Sequence, residues 1–330
     1  MLQLNKYYNL NKNIFSSPDL EANRVGFGVA LKDVGKTNKD VVALCCDLTE
    51  STRIIEFAKA YPERFFEIGV AEQNLAGIAA GMALTGKIPF MASYAAFSPG
   101  RNFDQIRVSI AYSNTNVKII GAHAGVTVGP DGATHQMLED VALMRTLPNM
   151  TVIVPADFDQ AYAATVAATS FVGPVYIRLA REKTPKITTS TTPFTIGKAN
   201  VYAKGRDVTI IANGPMVYEA LVAAEALEKQ KINVEVIDCH SVKPLDAQTI
   251  LTSVAKTGAV VTAEEAQVTG GLGGAVAELL GEHMPVPLKR IGVLDRFGES
   301  GEPAELMKAF HLTAHDIQLA VHEVIARKNR

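Results

Sequence analysis

The chain has 330 residues, 48% apolar and 20% charged, with a formal net charge of −2. That is an ordinary globular composition, and its near-neutral balance leaves no broad basic face for nucleic acid or an anionic membrane. No run reaches the roughly 18 apolar residues of a membrane span, and Met1–Ser17 is polar and aromatic, unlike a secretory signal.

The length suits two α/β domains. After an N-terminal extension, residues 1–19, short β-branched runs alternate with helix-period stretches. Strands are expected at Val41–Cys46, Ile88–Ala92, Val117–Gly121, Thr151–Val154 and Val175–Leu179. Helices are expected at Asn23–Asp33, Glu72–Leu84, Asn102–Ser113, Met137–Arg145 and Phe158–Thr169. This alternation predicts crossover units on a mostly parallel sheet over 20–185. A Thr-, Pro- and Lys-rich stretch containing Pro185 and Pro193 then breaks the pattern, and 186–195 reads as a linker.

The alternation restarts over 196–330. Strands are expected at Val208–Ala212, Val234–Asp238, Ala259–Thr262 and Leu288–Ile291. Helices are expected at Met216–Lys229, Ala247–Val254, Gly271–Glu282, Ala304–Ala309 and Ala314–Lys328. The glycine run Gly270–Gly274 opens one of these helices, which suits either close helix–sheet packing or anion binding. The fold class is therefore α/β, with two doubly wound domains. The cysteines Cys45, Cys46 and Cys239 read as buried reduced thiols, which points to a cytoplasmic protein.

Four segments of the first half carry the residue types of chemistry: Asp47–Ser51, Phe66–Asn74, Tyr94–Arg101, and His123 with Gly129–Gln136. Each follows an expected strand, and in a doubly wound sheet the loops at the carboxyl ends of strands form the ligand crevice. The Ile-Gly-Val-Ala-Glu-Gln-Asn and Asp-Gly-Ala-Thr-His-Gln segments, at this spacing, resemble the pyrimidine-binding domain of transketolase. The rest of the chain resembles the C-terminal domain of the same family.

That resemblance implies a thiamine-diphosphate enzyme for sugar phosphates. It gives Glu72 the carboxyl that grips N1′ of the cofactor's aminopyrimidine ring. Phe97 would stack on that ring, with Tyr94 and Phe90 lining the same slot and Asp47 and Arg101 close by. His123 and His135 would contact substrate hydroxyls, Asp131 would read the donor hydroxyl, and Arg24, Ser51 and Arg181 would grip the substrate phosphate. Arg178, like Arg101, is closer to deoxyxylulose-phosphate synthase, which keeps that activity as an alternative. A non-catalytic assembly or regulatory subunit is disfavoured by the presence of Glu72, His123, Asp131 and His135 together.

The family's Gly-Asp-Gly segment and following Asn pair, which hold Mg²⁺ and the cofactor diphosphate, do not occur in the sequence. Such a site needs hard oxygen ligands in octahedral geometry, and no second acidic cluster offers them. The resemblance therefore implies a partner, a diphosphate-binding N-terminal transketolase subunit, in an α2β2 assembly. His240, Asp246 and Glu264 in the second half read as structural.

Overall fold

A computed structural model describes residues 2–328. In the first half, β1 (Leu20–Ala22) leads into α1 (Asn23–Thr37), β2 (Val41–Cys45), α2 (Ile55–Ala60), β3 (Phe65–Glu67), α3 (Glu72–Leu84) and β4 (Ile88–Tyr94). There follow α4 (Phe103–Gln105), which continues as a π-helical stretch over Ile106–Tyr112, then β5 (Lys118–Ala122), α5 (Asp140–Thr146), β6 (Thr151–Ile153), α6 (Phe158–Ser170), β7 (Val175–Arg178) and β8 (Lys183–Pro185). The second half comprises β9 (Asn200–Ala203), β10 (Val208–Ala212), α7 (Met216–Lys229), β11 (Val234–Asp238), β12 (Ser241–Lys243), α8 (Ala247–Thr257), β13 (Val260–Gln267), α9 (Leu272–His283), β14 (Leu288–Val293), α10 (Pro303–Ala309) and α11 (Ala314–Lys328).

Two sheets organise these elements. The first has the order β12-β6-β7-β5-β4-β2-β3 and the second β14-β13-β10-β11-β9. Strands β2, β5, β10 and β11 are buried along their whole length. Parallel strands covered by helices on both faces read as continuous apolar runs for this reason. Separate cores fill the faces: Phe27, Leu31, Val41 and Ile177 on one side of the first sheet, Leu44, Leu75, Met91 and Ile119 on the other. Helices α1 and α6 touch so closely that a Cβ at Gly26 would lie 2.2 Å from the Phe158 carbonyl oxygen.

Three features depart from the one-dimensional reading. Strand β12 belongs to the second half but pairs antiparallel with β6 at the edge of the first sheet. The N-terminal extension packs on the second half: Leu4 bridges Ala203, the Asn5 N–H donates to the Tyr202 carbonyl at 2.8 Å, and Ile14 is buried in the second core. The helix expected from Met137 begins only at Asp140, because Met137 bridges Ala124 and accepts the Gly125 N–H at 2.9 Å. All three cysteines are buried and free. Among the described residues, no helix is long and apolar enough to cross a membrane.

The carboxyl ends of the second sheet are covered by the first half. Val154 donates to the His240 carbonyl at 2.8 Å and accepts from the Gly214 N–H at 3.2 Å, and the Gln267 N–H donates to Leu138 at 2.8 Å. Among the described residues, no backbone hydrogen bond from the second half reaches the carboxyl ends of β2, β3 and β4. Asp47, Glu50, Val70 and Arg101 are exposed there.

Candidate active site

The uncovered edge is where the chemistry-bearing segments meet. After β3 the chain turns through Gly69, at φ 74°, and starts α3 at Glu72. Only 1% of Glu72 is exposed, yet its Oε2 accepts a hydrogen bond from Arg101 Nη1 at 2.7 Å. Asn102 Nδ2 donates to the Glu72 carbonyl at 2.9 Å, which ties the start of α3 to the turn after β4. The Arg101 guanidinium lies 4.6 Å from the centre of the Phe97 ring. A flat nitrogen-bearing group thus rests on an aromatic face while bonding a buried carboxyl. An aminopyrimidine ring also needs an aromatic face and a buried carboxyl, although the carboxyl would donate to its ring nitrogen where it accepts from Arg101, so these residues fit the pyrimidine end of thiamine diphosphate.

The aromatic wall continues inward. Tyr94 and Phe97 are near-parallel with centres 5.9 Å apart, and Tyr94 stacks on His123 at 3.8 Å. His135 meets Phe97 edge-on at 5.4 Å, and its Nδ1 lies 2.9 Å from Thr134 Oγ1. His123 follows β5 in a left-handed conformation, φ 53°, and its buried Nδ1 has no hydrogen-bond partner. Burial, then the positive charges of Arg24 and Arg181 and finally His135, push the His123 pKa down to about 3. It is therefore a neutral imidazole at physiological pH, and its unpartnered Nδ1 donates or accepts according to the tautomer.

Arg24, at the start of α1, donates from Nη1 to the Ser51 carbonyl at 2.7 Å and from Nε to the Arg181 carbonyl at 2.9 Å. Burial and the neighbouring charges of Arg53 and Arg181 lower its pKa. Arg181 Nη1 donates to the Val128 carbonyl at 2.8 Å. Arg24, Ser51 and Arg181 thus come together, with Ser51 touching Arg24 through its backbone. Asp131 is exposed on the 3₁₀ turn Val126–Asp131. Asp47, at φ 57°, donates its N–H to Glu67 Oε1 at 2.7 Å.

Phe90 requires correction. It has no exposed surface and packs with Phe27, Leu31 and Ile120 in the core under the sheet. A large apolar ring in mid-strand is retained by that core, so it does not line the slot. Arg178 is likewise internal: its Nε bonds Asp140 Oδ2 at 2.9 Å, and its Nη2 donates to the Glu265 carbonyl at 2.8 Å. The glycine run is a packing device. Glu264 accepts the Leu272 and Gly273 N–H groups at 2.7 Å each, and a Cβ at Gly271 would lie 2.1 Å from Glu264 Oε2. The donors that would have met an anion are already taken.

Two organising residues escaped the sequence reading. Glu67 joins the turns after β2 and β3, accepting from Asp47, from the Gly69 N–H at 3.0 Å and from Thr49 Oγ1 at 3.0 Å. Gln136 Nε2 donates to the carbonyls of Val126, Gly129 and Glu299 and so fixes the turn that carries Asp131. Gln136 stands in the Thr-His-Gln segment that carries the family resemblance, but its hold on this turn shows only in the folded chain. Among the described residues, no group of three or more His, Cys, Asp or Glu could hold a metal ion.

The pyrimidine-binding domain of transketolase matches residues 21–186, and the transketolase C-terminal domain matches residues 197–317. The 6-deoxy-6-sulfo-D-fructose transketolase subunit SqwH of Clostridium sp. (strain MSTE9) is 48% identical, over 91% of this chain and 93% of its own. A putative transketolase C-terminal section from Methanocaldococcus jannaschii is 43% identical, over 92% of this chain and 96% of its own. A solved structure described as a split gene transketolase, inactive beta4 tetramer, superposes with a TM-score of 0.88 at 48% identity, covering 93% of this chain and 99% of that one. The chain therefore belongs to the transketolase family, as a counterpart of the C-terminal subunits of split transketolases.

Proposed function

We propose that this chain supplies the pyrimidine-binding half of a thiamine-diphosphate-dependent transketolase that moves a two-carbon ketol unit between sugar phosphates. The supporting observation is the buried Glu72 carboxyl bonded to the planar guanidinium of Arg101, which lies over the Phe97 ring. When bound, thiamine diphosphate supplies the carbon nucleophile that accepts and releases the ketol unit. Glu72, only 1% exposed, bonds the cofactor's pyrimidine nitrogen through its carboxyl. For this, the carboxyl exchanges Arg101 for the ring. Arg101 is long and half exposed, so it can swing aside.

Neutral His123 orients a substrate hydroxyl, and His135 and Asp131 flank the donor from the opposite turn. Arg24, Ser51 and Arg181 hold the charged tail of the sugar, a task to which planar guanidinium groups are suited. Mg²⁺ and the diphosphate are held by a second polypeptide, and an α2β2 assembly would pair each open edge with one partner. The buried free thiols suit a reducing compartment such as the cytoplasm. Of the arginines pointing to the synthase alternative, Arg178 is committed to Asp140 in the interior, which weakens that alternative.

The test is reconstitution with a co-purified partner. Thiamine diphosphate and Mg²⁺ should support turnover of xylulose 5-phosphate with ribose 5-phosphate, while pyruvate should fail as donor. Calorimetry of the chain alone should detect only weak cofactor binding. Tight binding without a companion would refute the divided site.

A further inference from the structure

We infer that Arg53, which no motif singled out, completes an anion site with Arg24 and Arg181 and tunes it for a doubly charged sugar tail, a phosphate monoester rather than a sulfonate. This rests on the reading above for where the sugar's charged end lies. The position of Arg53 follows from how the loop after β2 lies along α1. Arg24 bonds the Ser51 carbonyl at 2.7 Å. One turn further along the same helix face is Gly28, and a Cβ there would lie 2.4 Å from the Arg53 carbonyl oxygen and 2.9 Å from its Cβ. Only a glycine lets the loop come this close, and the approach brings Arg53 within one helical turn of Arg24.

The backbone of Arg53 is at φ 67°, a left-handed conformation that residues with side chains avoid. It is pinned on both sides, by Thr52, whose Oγ1 donates to the Leu48 carbonyl at 2.9 Å, and by Ile54 in the core. The side chain between these anchors is exposed. Among the described residues, neither Arg24 nor Arg53 has a carboxylate within ion-pair distance, and Arg181 has only the neighbouring Glu182 at 3.4 Å. The like charges are close enough that Arg53, ahead of Arg181, is the leading charge lowering the Arg24 pKa.

Cations that outnumber the carboxylates beside them are stabilised by an arriving anion, and the gain grows with its charge. A phosphate monoester carries a charge of about −1.5 to −2 at pH 7, whereas a sulfonate carries a single charge. Arg24 and Arg181 are tied to carbonyls at the base of the site. Arg53, exposed and without an ion-pair partner among the described residues, is the cation left to meet the second charge.

The test uses Arg53→Asn, because asparagine tolerates a left-handed backbone, and Arg53→Lys, which keeps the charge. In the reconstituted complex, Arg53→Asn should raise KM for a phosphorylated ketose about tenfold with kcat nearly unchanged, the scale of one charge-assisted contact. A sulfonated ketose should lose about two- to threefold, in line with its smaller charge. Arg53→Lys should restore most of the phosphate preference. Independently of turnover, inorganic phosphate titrated into the full chain should shift the His123 imidazole resonances, and Arg53→Asn should weaken that binding by a similar factor. Unchanged KM and unchanged phosphate binding in Arg53→Asn would overturn the anion site. Equal losses for phosphate and sulfonate would overturn the selection by charge. Weakened phosphate binding in a complex that ignores sugar phosphates would uphold the anion site and count against the proposed substrate.

Discussion

The two halves of this chain share one plan and treat its crevice in opposite ways. In each, parallel strands end at an edge where a doubly wound fold offers a ligand site. In the second half that edge is filled from within. Gln160 Nε2 donates to Asp238 Oδ2 at 2.5 Å, Thr127 N–H bonds Glu265 Oε1 at 2.7 Å, and Val154 threads between His240 and Gly214. In the first half the ends of β2, β3 and β4 are left exposed. Its loops hold Asp47 and His123 in left-handed conformations and leave an orphaned imidazole nitrogen, and among the described residues Arg24 and Arg53 have no carboxylate within ion-pair distance. The fold supplies a crevice twice, and the first keeps a His123 nitrogen that no other segment of the chain takes up. Acidic and histidine residues at strand ends are consequently not evidence of chemistry by themselves: His240 and Glu264 occupy such places and are consumed by structure.

The largest expected effect tests whether the open edge is chemical at all. Glu72→Ala should lower turnover of the reconstituted complex by roughly 10³-fold, within the range for removal of a proton-handling group. The assembly should elute unchanged on size exclusion, since the side chain's one hydrogen bond is to the half-exposed Arg101. Near-normal turnover would erase the distinction between the two edges.

The next effect tests whether the closed edge is purely structural. Arg178→Ala leaves Asp140 fully buried with only the Tyr176 hydroxyl, at 2.6 Å, to satisfy it. Stranding a buried charge costs about 3–5 kcal/mol, so the urea midpoint should fall sharply. The same arginine anchors the Glu265 carbonyl, so both halves should loosen together in one transition. A variant that kept its stability and lost only kcat would place Arg178 in the site instead.

How far the sequence shows this contrast depends on the range over which each signal acts. Strands β10 and β11 and helices α3, α7 and α11 have the bounds expected from local periodicity. Each is encoded by residues that contact one another within a few turns. Strand β3 and helix α2, short and half exposed, carry too few apolar residues to show a period. The crossing of β12 into the first sheet and the packing of residues 2–19 on the second depend on partners about 90 to 200 positions away. No window of sequence contains that information. Within the site, Glu72, Phe97, His123 and His135 stand out by residue type at strand ends. Phe90 shares their chemistry and differs only in strand position. Glu67 and Arg53 look like surface charges until the loops that surround them are folded.

The smallest expected effect distinguishes the two edges by sign. His123 is held near 3 against an ordinary 6.5, chiefly by burial. The unfolded chain therefore binds more protons between those values. Stability from this site is full above 6.5 and is lost as pH falls toward about 3. Glu264 is raised from 4.5 to about 7, chiefly by burial, although the N–H groups of Gly273 and Leu272 pull it back. Here the folded chain binds more protons, so the contribution is full below 4.5 and is lost as pH rises through about 7. In the window the two share, their slopes oppose. Urea midpoints followed across that window should rise more steeply with pH in Glu264→Gln than in the parent protein, and less steeply in His123→Gln. A weakened cap on α9 lowers every Glu264→Gln midpoint by a similar amount and leaves the slope diagnostic. If both variants tilted the curve the same way, the two edges would not differ in the protonation state that folding selects, and the contrast between an open and a filled crevice would lose its electrostatic half.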